Sequence, residues 1–243
     1  MKADLDDALV PVKWAEAQIP ILQERLSAWQ RTYPYEIVAE PDPDGADREL
    51  LVAYLKKPLD PLIVGDVGAM VNSIRTGLNL MLAAVVARHG VIPNRAPDFP
   101  ISKTPTDFLA AVEKLKSKNW ISPIEAAVIK RTKAYDGGDG MLFHIRELDN
   151  LRKHQRLLTV EPTPTQAIIT ATGHGFEKLM THVQDKTILY RIPQGAFRPT
   201  KGNTNLTAEI FLNEAPAGVG NHPALLALRV YVSRVREIIQ SFP

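Results

Sequence analysis

The chain has 243 residues, of which 45% are hydrophobic and 23% charged, the composition of an ordinary globular protein that is long enough to bury a substantial core. Its formal net charge of +2 is far below the strongly basic footprint that nucleic-acid-binding proteins usually carry. Because the sequence contains no cysteine, disulfide scaffolds, zinc sites with thiolate ligands and cysteine nucleophiles are excluded.

Residues 1–60 are predicted to form an N-terminal helix and a β-hairpin. Ile19, Leu22 and Leu26 recur at helical spacing, and Pro20 either kinks this helix or begins its regular part. The runs PYEIVAE and ELLVAYLK are predicted strands, because the segment between them, PDPDGADR, is rich in turn-forming residues.

The N-terminal segment MKADLDDALVPVKW is acidic and lacks the basic-then-apolar order of a secretory signal. No run of about 18 consecutive apolar residues follows it. We therefore expect a cytoplasmic protein without a membrane partner.

Residues 61–158 are predicted to form a helical core. The long apolar stretch VGDVGAMVNSIRTGLNLMLAAVVARHG indicates a central helix, and Thr104 and Ser122, each followed by proline, are start signals for two more helices. A fourth helix, HIRELDNLRKHQRLL at residues 144–158, follows the glycine-rich YDGGDG, in which Asp139 is the expected cap.

Residues 159–243 are predicted to return to strands and to end in an amphipathic helix. The strands are TQAIITAT, KTILYRI and NLTAEIFLN, and the helix is HPALLALRVYVSRVREIIQSF. We expect an α+β fold in one integrated domain, residues 1–243. In it a long central helix and three shorter helices pack on an antiparallel sheet of N- and C-terminal strands.

Two polar stripes stand out within the helical core. Arg146, Asn150 and His154 are spaced i, i+4, i+8 and follow one side of their helix. The central helix carries a second stripe at i, i+3, i+7, formed by Asn72, Arg75 and Asn79. A buried arginine needs acceptors, and Glu147 or Asp149 would supply them if the two helices pack side by side.

The middle of the chain is basic, with 11 basic and 7 acidic residues between positions 101 and 160. An excess of this size attracts phosphates by Coulomb steering, although it is also typical of a solvated helical face.

The stretches VNSIRTGLNLMLAAV, FPI and IRELDNLRKHQRLL resemble a family of uncharacterised bacterial proteins, and the likeness covers most of the chain. The arrangement of the central helices also resembles the HEPN superfamily, many of whose members are metal-independent ribonucleases or nucleotide-modifying partners. Seven residues separate Arg146 from His154, a longer spacing than in HEPN ribonucleases, and Arg152 stands where the bacterial pattern has aspartate.

The resemblance implies a module that binds RNA or a nucleotide, or that cleaves RNA without a metal. His154 would be the general acid or base, and Arg146 or Arg152 would stabilise charge on the phosphate. Asn150 would position one of these groups.

The alternative is a non-enzymatic homo-oligomeric protein whose polar residues only hold the helices in register. In that interpretation a satisfied hydrogen-bond network joins Asn72, Arg75, Asn79, Glu147, Asn150 and His154. The final helix, with Arg229, Arg234 and Arg236, would supply a homodimer face.

Neither a metal nor another cofactor is predicted. His144 and Glu147 share a helical face, but no second pair of ligands accompanies them. The segment YDGGDG lacks the lysine and the serine or threonine of a phosphate-binding P-loop.

Overall fold

The computed structural model describes residues 3–91, 97–154, 156–170, 176–183, 186–200, 203–214 and 219–243. The helices of these residues are α1 (Ala3–Gln30), α2 (Pro61–Arg88), α3 (Pro105–Ser117), α4 (Pro123–Arg131), α5 (Gly140–His154) and α6 (Ala224–Gln240). The strands are β1 (Tyr35–Pro41), β2 (Arg48–Leu55), β3 (Val160–Ile169), β4 (Glu177–Val183), β5 (Lys186–Pro193), β6 (Thr204–Glu214) and β7 (Val219–Pro223). The predicted α+β class is confirmed.

A four-stranded antiparallel sheet joins strands from both ends of the chain, in the order β1-β2-β5-β4. β1 and β2 form the predicted hairpin, with Val38 opposite Val52. β2 also pairs with β5, where Leu51 lies opposite Tyr190, so the pairing of an N-terminal with a C-terminal strand is confirmed. The register of this pair shifts between Leu51 and Val52. The predicted single sheet is wrong, because the strands form two sheets.

A second sheet has the order β3-β6-β7. β3 begins at Val160, five residues before the predicted run TQAIITAT, whose last two residues lie outside the described part of the chain. Pro162 and Pro164 concealed this start, since proline removes a ladder donor and normally argues against a central strand. As the first strand in its sheet order, β3 can accommodate them.

One compact unit comprises Gln23–Ile63 and Val160–Phe211. Its apolar core is small and is formed mainly by the four-stranded sheet. The buried members of that core are Leu51, Ala53, Ala167, Leu189, Ile192 and Phe197. Two tyrosine hydroxyls reach β3 backbone carbonyls from other strands, Tyr35 at Pro162 (2.9 Å) and Tyr190 at Ala167 (3.0 Å).

The other compact unit comprises the chain up to Leu22, Val64–Thr159 and Leu212–Pro243. α2 lies in its core, with Met70, Ile74, Leu78 and Met81 fully buried. A Cβ atom at Gly77 would lie 2.5 Å from Val12 Cγ2 and 3.0 Å from the Ala8 carbonyl oxygen, so glycine is needed where α1 approaches α2.

α2 is also the one helix among the described residues that is long and apolar enough to cross a membrane. Its best 18-residue window has a mean hydropathy of 1.4, and 56% of that window is buried inside the protein. A helix in the core of a globular protein can be equally long and apolar, so length and hydropathy do not distinguish a membrane helix from a core helix. The cytoplasmic location therefore stays a prediction.

The single domain of residues 1–243 also stays a prediction.

The helix boundaries follow local signals at their starts. The Thr104 hydroxyl accepts from the Asp107 backbone N–H (3.1 Å), and Ser122 forms a reciprocal capping box with Glu125. Asp139 caps α5 as predicted, accepting from the Leu142 backbone N–H at 3.2 Å.

The predicted end of the fourth helix at residue 158 is wrong, because α5 ends at His154. Beyond that point Arg156 donates to the buried carboxylate of Glu214 through two nitrogens, at 3.0 and 2.8 Å. The Thr159 backbone N–H also donates to Glu214. These tertiary hydrogen bonds hold the segment outside the helix.

Candidate functional site

A cleft of about 700 Å³, here called the polar cleft, lies between α2, the segment 97–102, α3 and α5. Its walls carry five cationic side chains and two carboxylates. The lining includes Arg75, Asn79, Asp98, Phe99, Lys114, Lys118, Trp120, Arg146, Asp149, Asn150, Lys153 and His154.

Five of the eight residues proposed from sequence line this cleft, and they come from both predicted stripes. α2 contributes Arg75 and Asn79, and α5 contributes Arg146, Asn150 and His154. The two stripes therefore border the same space. This arrangement requires α2 and α5 to be neighbours, which the sequence could state only as a condition.

The other three proposed residues lie outside the cleft lining. Asn72 is half-buried on α2, and Glu147 accepts a hydrogen bond from its neighbour Arg146. Arg152 extends along α5 to Asp149, with 3.5 Å between nitrogen and oxygen, and its methylene chain lies against Gly68 of α2.

Arg75 is the most unusual of the lining residues, because a residue with a cationic side chain is only 7% exposed. Its Nη2 donates to the backbone carbonyl of Phe99 at 2.8 Å, and its Nη1 has no partner among the residues that the structure describes. The expected acceptors, Glu147 and Asp149, do not take its hydrogen bond. Burial lowers the pKa of Arg75 to about 10, and the opposing influence of Asp98 and Asp149 is smaller.

Asn79 holds the segment that follows α2. Its side-chain oxygen accepts from the Phe99 backbone N–H at 2.9 Å, and its side-chain nitrogen donates to the Asp98 carboxylate at 3.0 Å. Together with Arg75, Asn79 fixes the wall of the cleft that residues 97–102 form. Both hydrogen bonds also serve the fold whether or not a ligand is present.

The carboxylates in the walls differ in how far they neutralise the cationic groups. Asp149 is buried, lies 2.5 Å from Lys153 and is shared with Arg152. Asp98 is exposed and accepts from Asn79. The lining as a whole therefore keeps a positive excess, which favours an anionic ligand.

The sequence interpretation missed the α3 side of the cleft. Lys114, Lys118 and Trp120 line it, and the Lys118 ammonium lies 4.5 Å from the centre of the Trp120 ring. The run KLKSKNW, within the basic middle of the chain, was the available signal. Its lysines looked like a solvated face, because nothing in the sequence shows that α3 closes the same space as α2 and α5.

His154 is exposed at the last position of α5, two helical turns from Arg146. Eight residues of helix place their Cα atoms about 12 Å apart along the axis. An imidazole there can exchange a proton with a bound molecule. A ligand that touches both side chains is therefore larger than a single phosphate group.

Within the described ranges, no three histidine, aspartate or glutamate side chains are arranged to hold a metal ion. The chemistry that the cleft itself offers is charge neutralisation, hydrogen bonding by Asn150, aromatic contact with Trp120 and proton exchange at His154. None of these requires a metal.

No family model, curated protein or solved structure matches this chain in the three comparisons made. The geometry of the site is therefore what supports a function.

Proposed function

We propose that the polar cleft binds a nucleotide or a short single-stranded RNA through its phosphate groups. The observation that carries the proposal is the buried guanidinium of Arg75, which borders the cleft without a carboxylate in contact and with one nitrogen unpartnered among the described residues. The resemblance of α2 and α5 to HEPN-like helices agrees with the same class of ligand.

A buried charge is costly unless an opposite charge or several hydrogen bonds compensate it. With a pKa of about 10, Arg75 remains protonated at neutral pH. Asp149 compensates this charge only in part, since that carboxylate lies 2.5 Å from Lys153 and takes no hydrogen bond from Arg75. An anion in the cleft would supply the missing compensation.

The remaining walls suit the rest of a nucleotide. Lys114 and Lys118 are exposed lysines that can neutralise phosphate charge, and Trp120 offers an aromatic ring beside them. Stacking on aromatic side chains is the usual way in which proteins hold unpaired bases. The half-buried amide of Asn150 can hydrogen-bond to a base or a ribose.

RNA cleavage is a narrower form of the same proposal. His154 would exchange a proton with a ribose 2′-hydroxyl or with the leaving oxygen, and Arg146 would stabilise charge on the phosphate. The observation in favour is that both side chains line the cleft and that His154 is exposed to it.

The alternative function is a non-enzymatic homo-oligomeric protein in which the network is architectural. The bonds of Asn79 to Asp98 and Phe99 favour it, because both ends of the amide are already used within the chain. The two proposals differ in what the exposed lysines do, since an architectural network does not need them.

The test compares RNA and nucleotide binding by wild type and by Lys114→Gln/Lys118→Gln, in low salt and without added metal. We expect the double variant to bind at least tenfold more weakly and to show a shallower salt dependence, because two phosphate contacts are lost. Lys13→Gln, an exposed lysine on α1, is the matched control.

Binding that the double variant retains, or no binding by wild type to either ligand, would contradict the proposal. Cleavage is followed on the same end-labelled RNA, beside His154→Ala with its fold verified by circular dichroism. Products that form equally with His154→Ala would exclude the assigned role of that imidazole.

A further inference from the structure

A second concave site, here called the apolar pocket, lies between the start of α5 and one face of α6, with a volume of about 640 Å³. This volume is in the range of small-molecule sites. The walls are mostly apolar, and the polar lining groups are few. Met141, Leu226 and Val230 form apolar parts of the lining, and His144, His222 and Tyr231 are among its polar groups.

α6 presents a wider apolar face than a docked helix normally buries. Leu228, Val232, Val235 and Ile239 are buried in the core of their unit. Leu226, Ala227, Val230 and Tyr231 form the adjoining part of that face and line the pocket. Leu226 is 59% exposed, so this face is open to solvent at its edge.

Tyr231 is the strongest sign that the pocket takes a ligand. Its side chain is 2% exposed, yet its hydroxyl has no hydrogen-bond partner among the residues that the structure describes. Buried tyrosine hydroxyls normally find a partner, because an unpaired one loses its hydrogen bonds to water without replacement.

Two imidazoles also line the pocket, with 6.0 Å between the ring centres of His144 and His222. Burial lowers the pKa of His144, as does the proximity of His222, while Asp136 and Asp139 act in the opposite direction. His144 is therefore neutral at neutral pH and keeps one acceptor nitrogen.

The cation of the pocket is already compensated. Arg234 Nε lies 2.7 Å from the Asp139 carboxylate, and its Nη1 lies 3.2 Å from Glu237. Asp139 would in turn repel an incoming anion. In contrast to the polar cleft, the apolar pocket therefore favours an uncharged ligand.

We propose that the apolar pocket binds a small uncharged molecule with an apolar body and one hydroxyl group, of the class of substituted phenols. The ligand hydroxyl donates to the His144 imidazole and accepts from the Tyr231 hydroxyl, while Met141, Leu226, Ala227 and Val230 contact the body. This inference is independent of the function proposed for the polar cleft.

The test uses calorimetric titration of the full chain with 4-methylphenol, 4-methylanisole and 4-methylbenzoate, which differ in the head group. We expect 4-methylphenol to bind with a dissociation constant on the order of 1 mM or below. Methylation of the hydroxyl should weaken binding roughly three- to tenfold, as expected for one lost hydrogen bond. The carboxylate should bind more weakly than the phenol.

Two variants assign the site. Tyr231→Phe should weaken 4-methylphenol and 4-methylanisole alike, roughly three- to tenfold, because the oxygen of each probe accepts from the hydroxyl that is removed. Leu226→Glu places a charge at an exposed edge of the pocket and should weaken both probes. Leu109→Glu, at an exposed leucine of α3 outside the pocket lining, is the matched control and should bind as wild type does.

No binding of 4-methylphenol at millimolar concentration would overturn the proposal, as would binding that Leu226→Glu leaves unchanged. An unchanged affinity in Tyr231→Phe would overturn the assigned role of that hydroxyl. A wild-type chain that is dimeric by light scattering, binds no probe and becomes monomeric with Leu226→Glu would assign the face to a second copy instead.

Discussion

The buried guanidinium of Arg75 donates to the backbone carbonyl of Phe99 over 2.8 Å and contacts no carboxylate in the described structure. A structural arginine in a helical core normally has a counter-ion, because burying an uncompensated charge opposes folding. Arg75 thus lowers stability at the wall of a cleft where its charge is useful to an anionic ligand. Its replacement should therefore weaken binding strongly and change stability little.

Arg75→Met removes the charge and keeps most of the side-chain volume. Replacing a buried ionic group with an apolar one of similar size is often neutral or stabilising. We therefore expect the free energy of unfolding to lie at most about 1 kcal/mol below that of wild type. The lost hydrogen bond to Phe99 accounts for this decrease. Urea denaturation measures this, and RNA binding should fall at least tenfold in the same sample. A loss of stability with binding intact would mean that Arg75 is only structural.

Asn79→Ala should destabilise the protein by about 1–3 kcal/mol, because the Phe99 backbone N–H is left without its acceptor. Asn72→Ala is the matched control on the same helix, and its half-buried side chain should change stability by less than about 0.5 kcal/mol. Both values come from chemical denaturation. Equal effects at the two positions would argue against a special role for Asn79.

His154→Ala should leave the melting temperature within about 2 °C of wild type, because the side chain is exposed. Leu148→Ala on the same helix should cost about 2–5 kcal/mol, since Leu148 is fully buried. Thermal unfolding followed by circular dichroism compares the two. If His154→Ala unfolded as readily as Leu148→Ala, His154 would be a structural residue.

Arg156→Ala should destabilise the protein by about 2–4 kcal/mol, because it leaves the fully buried Glu214 carboxylate without its cation. Arg156 is itself about half exposed, which keeps the expected value below that of a fully buried pair. The double variant Arg156→Ala/Glu214→Gln should lose less than the sum of the single losses. A double-mutant cycle in urea measures the coupling, and additive losses would contradict it.

Glu113 should make stability depend on pH in the acid range. Hydrogen bonds from Lys116 and Lys130 lower the pKa of Glu113 from its ordinary value of 4.5 to about 2. The stabilisation is therefore complete above pH 4.5 and is lost as the pH falls toward 2, where the folded carboxylate takes up its proton. Both lysines are partly exposed, so we expect a small effect.

The check is the urea midpoint of wild type and Glu113→Gln at pH 7 and pH 3. Wild type should have the higher midpoint at pH 7, and the difference should shrink at pH 3. Glu209→Gln, at an exposed carboxylate of β6, is the control. A difference that is the same at both pH values would show that the lysine contacts do not form in solution.

Local sequence signals were reliable for the helices that begin with a cap. Thr104, Ser122 and Asp139 form their caps where predicted, because a cap depends on residues three or four positions apart. The C-terminal ends of the helices were less predictable from the sequence. α5 stops at His154 since Arg156 and Thr159 bond to Glu214, which lies more than fifty residues later.

The α+β class, the hairpin and the two polar stripes were thus determined by the sequence itself, because periodicity and turn chemistry act over a few neighbouring residues. Only the tertiary structure placed the stripes on one cleft and added Lys114, Lys118 and Trp120 to it. It also left Arg75 and Tyr231 with unpartnered polar atoms among the described residues. Partners and burial are set by segments far apart in the chain, and no local pattern encodes them.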